Sequence, residues 1–213
     1  AAKDIELTLL KAVEGSVTLN AKGLIADNNA GEINIVADVW RADAVNGIGV
    51  EGVDAIETEV ARLSVRNMGS AAGARSSINI ANMNSVTIEQ FINNGNISFS
   101  NSNGDVILDN TNNLEFDITK ASALEQGGVI NANTGVNGGV LTFSINGGSV
   151  LATNKANKAN PEVIAESASF IYPQQNVYAF GERNRKIVMH IPTRYLQSAR
   201  TSAVLWHLRK PTD

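Results

Sequence analysis

The sequence predicts an all-β chain: a right-handed parallel β-helix, or solenoid, with a small C-terminal module of strands and a helix that caps it. Three observations carry that expectation. Apolar residues recur at alternate positions in short runs, the period of a strand with one buried face. Gly and Asn-Gly pairs, which accept positive φ, punctuate those runs as turns. A motif also repeats: Gly95-x-Ile97-Ser98-Phe99-Ser100-x-x-x-Gly104-x-Val106 aligns with Gly139-x-Leu141-Thr142-Phe143-Ser144-x-x-x-Gly148-x-Val150 at an offset of 44 residues.

In chain order, the candidate strands begin with Ile5-x-Leu7-x-Leu9, Val17-x-Leu19 and Ile33-x-Ile35, followed by Leu63-x-Val65, Ile78-x-Ile80 and Val86-x-Ile88. Ile97-x-Phe99, Val106-x-Leu108, Leu114-x-Phe116-x-Ile118, Leu141-x-Phe143 and Val150 continue the pattern. Gly15, Gly31, Gly95, Gly104, Gly139 and Gly148 each sit just before such a run, and Asn-Gly pairs stand at 46–47, 94–95, 103–104, 137–138 and 146–147. With coils of roughly 20–25 residues, the motif offset corresponds to about two rungs of a solenoid. A sandwich or barrel would need longer strands and more aromatic residues than Trp40 and Phe91, which are all that the first 98 residues supply. Right-handedness follows from the rule for crossovers between parallel strands. The Asn-rich pieces 93–113 and 131–160 read as coil corners and outer loops. There Asn adopts the αL conformation or forms side-chain ladders up the stack.

A chain of 213 residues with 43% hydrophobic and 18% charged residues has enough apolar side chain for a sizeable core. It has no Cys, which excludes a disulfide framework and thiolate metal sites and suits an exported protein that crosses membranes unfolded. No apolar run is long enough to span a bilayer as a helix. The opening residues Ala1-Ala2-Lys3-Asp4 lack a signal-peptide core, so any export signal is expected to be removed or to lie elsewhere. Charge is divided unevenly. Residues 1–153 carry 8 Lys+Arg against 17 Asp+Glu, a balance of −9, whereas residues 154–213 carry 9 against 4, a balance of +5. The acidic body argues against nucleic acid as a partner, because phosphates would be repelled.

The texture changes near residue 160. All four Pro (161, 173, 192, 211) and all three Tyr lie beyond it. The chain therefore divides into a β-helix repeat region, 1–153, and a capping or docking module, 154–213. In the module, Val163–Tyr172, Val177–Phe180 and Lys186–Ile191 read as strands. Thr193 reads as the cap of a helix that buries Leu196, Ala199, Ala203, Trp206 and Leu208 and stops at Pro211. A cap is physically expected, since a bare solenoid end invites edge-to-edge growth.

Between Val17 and Asn67 the chain runs Val17-Thr-Leu19-Asn-Ala-Lys-Gly23, then Asn46-Gly-Ile-Gly49, then Ala55-Ile-Glu-Thr58-Glu-Val60-Ala-Arg-Leu63-Ser-Val65. Together with Gly95–Ser100, these residues resemble the repeats of filamentous-haemagglutinin-like large exoproteins over about residues 5–151. The resemblance implies a bacterial β-helical adhesin, located extracellularly or on the cell surface and exported by two-partner secretion through an outer-membrane pore protein. The family's amino-terminal secretion motif around Asn-Pro-Asn-Leu is absent, so the resemblance implies an internal or C-terminal segment. The tail from Pro161 matches nothing in that family pattern.

Chemistry-bearing motifs are sparse. Gly47-Ile48-Gly49-Val50-Glu51-Gly52 fits the dinucleotide-binding spacing, but Arg41–Asn46 is not the buried strand that motif requires, so the glycines read as a coil turn. His190 and His207 stand alone, without Cys or a Gly-x-Ser-x-Gly elbow. Asp105 and Asp109, or Glu115 and Asp117, alternate as calcium ligands would, yet the calcium-binding Gly-Gly-x-Gly-x-Asp repeat is missing. Asn96-Ile97-Ser98 is a lone sequon and reads as a chance match. Phe170, Tyr172, Tyr178, Phe180 and Trp206 are the candidate partner-docking residues, with the core of a small module as the plainer assignment.

The expected function is an exported adhesin or structural segment that meets host glycans, host proteins or sister cells, with no cofactor, no metal and no catalytic residue. Two alternatives stand beside it. One is a β-helical polysaccharide lyase or hydrolase using Asp105, Asp109, Asp117 and Lys120. The other is a filament subunit that self-associates through the C-terminal module.

Overall fold

The computed structural model describes residues 3–50, 54–69, 77–93, 95–109, 130–132, 139–146, 148–152, 163–165, 167–172, 182–183, 186–189 and 204–205. Strands β1 (Ile5–Leu7), β2 (Leu10–Asn20), β3 (Ile25–Asp27), β4 (Ile35–Ala44), β5 (Ile56–Asn67), β6 (Ile78–Asn82), β7 (Val86–Asn93), β8 (Ile97–Asn101) and β9 (Val106–Leu108) form the first part. They are followed by β10 (Ile130–Asn131), β11 (Val140–Ile145), β12 (Val150–Ala152), β13 (Val163–Ala165), β14 (Ser167–Tyr172), β15 (Glu182–Arg183), β16 (Lys186–Met189) and β17 (Val204–Leu205). Among the described residues there is no helix, and the strands stack in parallel as a β-solenoid.

Parallel register puts like side chains above one another. One inward column runs Ile5, Ile25, Ile48, Ile78, Ile97, Leu141, and another runs Val17, Trp40, Leu63, Ile88, Leu108. Their inner members are fully buried and belong to one continuous core. Phe99 lies in this core against Phe91, with ring centroids 5.5 Å apart, and against Phe143 at 4.9 Å. Among the described residues the inward-outward alternation largely follows the sequence pattern, but Leu9 lies past the end of β1 and is 56% exposed, and before Ile35 it is Asn34, not Ile33, that is fully buried.

A single strand serves two faces of the solenoid. β5 pairs with β6 through Ile56–Thr58 and with β7 through Arg62–Asn67. Its inward residues step by two to Val60, then by three to Leu63. That change of period is the corner.

The 44-residue offset is one coil, not two. Thr142 pairs directly with Ser98 and Leu151 with Ile107, in parallel. The N–H of Val140 donates to Asn96 Oδ1 at 2.9 Å, and that of Ser149 to Asp105 Oδ1 at 2.8 Å, both across the same 44 positions. The repeated glycines have a packing reason: a Cβ on Gly139 would strike the carbonyl of Gly95, and one on Gly148 that of Gly104. Coil length is not constant: the register step from Ile78 to Ile97 spans far fewer residues than the step from Ile97 to Leu141, so spacing alone does not count rungs. Leu114–Ile118, read as a strand from the sequence, lies outside the described residues.

Asn ladders do form, and they point inward. Thr58 Oγ1 donates to Asn82 Oδ1 at 2.9 Å and Asn82 Nδ2 to Asn101 Oδ1 at 3.1 Å. At another corner the Gly47 N–H donates to Asn67 Oδ1 at 2.9 Å, Asn67 Nδ2 to Asn93 Oδ1 at 2.8 Å, and Asn93 Nδ2 to the Asn96 carbonyl at 2.6 Å. These side chains are buried. Asn93 and Asn101 are thus corner residues linked in side-chain ladders, as the sequence suggests, but they face the interior and not an outer loop.

Beyond residue 153 the parallel stack continues for two strands. β13 pairs with β10, and β14 with β11, placing Phe170 in register with Phe143. Then the direction reverses: β16 runs antiparallel to β13, β15 to β16, and β17 to β14. Val204 and Leu205 pair with Tyr172 and Ile171, which replaces by a strand the part of the expected helix that these two residues occupy. The rest of that helix and the expected strand Val177–Phe180 lie outside the described residues.

Candidate functional site

Opposite the core, β5 places Arg62, Ser64 and Arg66 on positions that alternate with inward Leu63, Val65 and Asn67. On the neighbouring strand, Leu63 pairs with Ile88 but Ser64 pairs with Gln90, so Glu89 is an extra residue, a β-bulge. The sequence carries a signal for it. Two polar residues, Glu89 and Gln90, separate the inward Ile88 from the inward Phe91, where strict alternation allows one.

The bulge sets a carboxyl group where water hardly reaches. Glu89 is 3% exposed, Gln90 6% and Ser64 0%. Arg62 Nε donates to Glu89 Oε1 at 2.7 Å, and its Nη2 forms the ion pair with the same oxygen. Next to it, Arg66 Nη2 meets Asp43 Oδ2 at 2.8 Å. Glu89 Oε2, Gln90 Oε1 and Ser64 Oγ are buried without a hydrogen-bond partner. Burial pushes the Glu89 carboxyl above its usual range; the bond and charge of Arg62 and the charge of Arg41 pull the other way, and Asp109 adds to the rise. Perturbed, buried polar groups cluster at functional sites, and structural ion-pair networks produce them as well; an unmet one has a cost that calls for an explanation.

A second acidic group sits where the Gly47-Ile48-Gly49 turn meets β3. Asp27 Oδ1 accepts from the Asn29 N–H at 3.0 Å and from Asn34 Nδ2, and Oδ2 accepts from the Ala30 N–H at 3.0 Å. Burial raises the Asp27 carboxyl, but these donors outweigh it, and the net shift is downward. Asp54 is raised by burial and by the charge of Asp27, and Glu57 by burial and by both Asp27 and Asp54. Among the described residues no group of three or more acidic or His side chains is arranged to hold a metal ion.

The candidates named from sequence fall in different places. Asp109 is nearly buried and acts electrostatically on Glu89. Asp105 caps the next coil through Ser149 instead. Glu115, Asp117 and Lys120 lie outside the described residues, as do His190 and His207. Of the docking set, Phe170 and Tyr172 are on β14, whereas Tyr178, Phe180 and Trp206 lie outside the described residues. Gly47 and Gly49 have φ of 118° and 67°, and Ile48 between them is bridged to Ile25 and Ile78, so this Gly-rich stretch is a coil turn. Asn96 receives the Val140 N–H through its side chain, which makes its amide part of the stack.

No family model, curated protein or solved structure matches the chain. The likeness to large exoproteins is therefore carried by the motifs between Val17 and Ser100 alone.

Proposed function

We propose that the chain is a segment of an exported bacterial surface adhesin, in which the solenoid holds a binding face away from the cell. The observation that carries this reading is the register itself: from β1 to β14, successive coils add by parallel pairing, with apolar columns inside as far as β11. Such a stack extends in one dimension and offers an elongated outer surface, which suits presentation. The absence of Cys and the exoprotein-like turns agree with export through an outer-membrane pore. The partners are host glycans or proteins, or sister cells. Beads coated with the purified chain should adhere to cultured epithelial cells, or to one another, well above albumin-coated beads. Equal retention of both kinds of bead would overturn the reading.

One observation favours a second reading, a β-helical carbohydrate-active enzyme. Asp43, Glu89 and Asp109 share a face with Arg41, Arg62 and Arg66, and burial raises the Glu89 carboxyl above its usual range. Release of reducing ends from bacterial or host polysaccharides, lost in Glu89→Gln, is what this reading requires.

A further inference from the structure

The bulge in β7 leaves three oxygen atoms buried and unmet beside two satisfied ion pairs. We propose that Ser64, Glu89 and Gln90 form a subsite for the hydroxyl groups of a neutral saccharide, an inference that rests on the adhesin reading and names its ligand class.

The choice of ligand follows from charge. Arg62 is paired with Glu89 and Arg66 with Asp43, and Arg41, the register partner of Ser64, is matched in charge by Asp109, so neither sign is left in excess at the row. A bound cation would face the Arg62 and Arg66 guanidinium groups, and a bound anion would face the Glu89, Asp43 and Asp109 carboxyl groups. Glu89 Oε2 and Gln90 Oε1 are buried acceptors without a partner, and beside them Ser64 Oγ is a hydroxyl that both donates and accepts. A sugar edge carries neighbouring hydroxyls that donate to the first two and exchange a bond with the third. An apolar ligand would leave all three unmet.

Position supports the assignment. Ser64 and Gln90 are direct register partners, so their side chains start from adjacent points, with Glu89 inserted next to them by the bulge. Bulges re-aim side chains in this way beside binding sites. Arg62, whose side chain bonds Glu89, is 37% exposed, whereas the three unmet atoms have no free surface of their own, so a ligand reaches them by displacing that guanidinium. Upward displacement of the Glu89 pKa has the same physical origin, a carboxyl withdrawn from water before any ligand arrives.

Saturation-transfer NMR on the full chain tests the subsite with lactose, cellobiose, maltose and N,N′-diacetylchitobiose as probes. At least one should give transfer, with each of Ser64→Ala and Gln90→Ala weakening binding about five- to tenfold, the size expected for one lost hydrogen bond. Glu89→Gln, which keeps an acceptor for Arg62, should weaken it as well, whereas Lys22→Ala should leave it unchanged. Thermal unfolding of every variant checks that the solenoid is intact. No transfer to any of the four sugars overturns the proposal, and so does binding that Ser64→Ala and Gln90→Ala leave unaltered. If sugars fail to bind while coated beads still adhere, the subsite is wrong and the adhesin reading survives. If sugars bind through these residues while beads do not adhere, the subsite stands and the adhesin reading falls.

Discussion

Asn67 Nδ2 donates to Asn93 Oδ1 across 2.8 Å, tying together two buried amides that lie 26 residues apart in sequence. Because the Asn67 Oδ1 accepts from Gly47 and the Asn93 Nδ2 donates to Asn96, the pair links successive coil corners as one chain of amides. Asn93→Ala removes the acceptor and strands a buried donor, which should lower stability by about 1–3 kcal/mol in urea unfolding. A double-mutant cycle with Asn67→Ala should give non-additive losses, since both changes break the same bond.

Phe99 is fully buried between Phe91 and Phe143. Truncation to Ala should cost about 3–5 kcal/mol, more than the same change at a half-buried side chain, because neighbouring coils hold the cavity open. Urea midpoints of Phe99→Ala and Val17→Ala compare the two.

The repeated glycines divide into two kinds. Gly148→Ala puts a methyl against the Gly104 carbonyl of the coil below and should destabilise by about 1–3 kcal/mol. Gly15, which is inside β2 and not at its start, meets only ordinary contacts, the nearest at 3.4 Å. Gly15→Ala should be neutral or gain up to about 1 kcal/mol by narrowing the unfolded ensemble. Thermal midpoints of the two variants should move in opposite directions or differ clearly in size.

Stability should fall as pH rises from the acid side toward neutrality. Asp54, Glu57 and Glu89 are raised by burial. The folded state therefore holds their protons more tightly than the unfolded chain, a contribution present below the unfolded carboxyl pKa and lost as pH climbs through the raised values. Asp27 is lowered and works in the opposite sense, contributing above the unfolded carboxyl pKa and losing that contribution as pH falls through its depressed value. Chemical denaturation from pH 4 to 8 should show the decline, and Glu89→Gln should flatten part of it. A slope that Glu89→Gln does not change would assign the pH dependence elsewhere.

Strand positions were legible because inward columns need one apolar residue in two, and Ile78-x-Ile80 or Ile97-x-Phe99 has no other economical explanation. The Asn corners were legible in kind but not in direction, since composition does not reveal that Asn82 or Asn93 faces inward. Rung number was not legible. A spacing of 44 residues reads as two short coils or one long coil equally well, and only pairing of Ser98 with Thr142 decides. The polar row was missed for a physical reason: Arg62, Ser64, Arg66 and Gln90 have the composition of a solvated face, and their burial depends on neighbours from several coils. The tail's end misled for another reason, because Leu196, Ala199 and Ala203 suit a helix by spacing, yet Val204 and Leu205 pair with β14.

Cysteine cross-linking tests the stacked register most directly, since the chain has no Cys of its own. Ser98 and Thr142 are parallel partners, and neighbouring strands lie about 4.8 Å apart, within the span of a disulfide. Ser98→Cys with Thr142→Cys should form an intramolecular disulfide on mild oxidation without loss of the fold. If that pair stays reduced while Ser98→Cys links instead to Lys120→Cys, half the motif spacing away, the one-coil register is wrong.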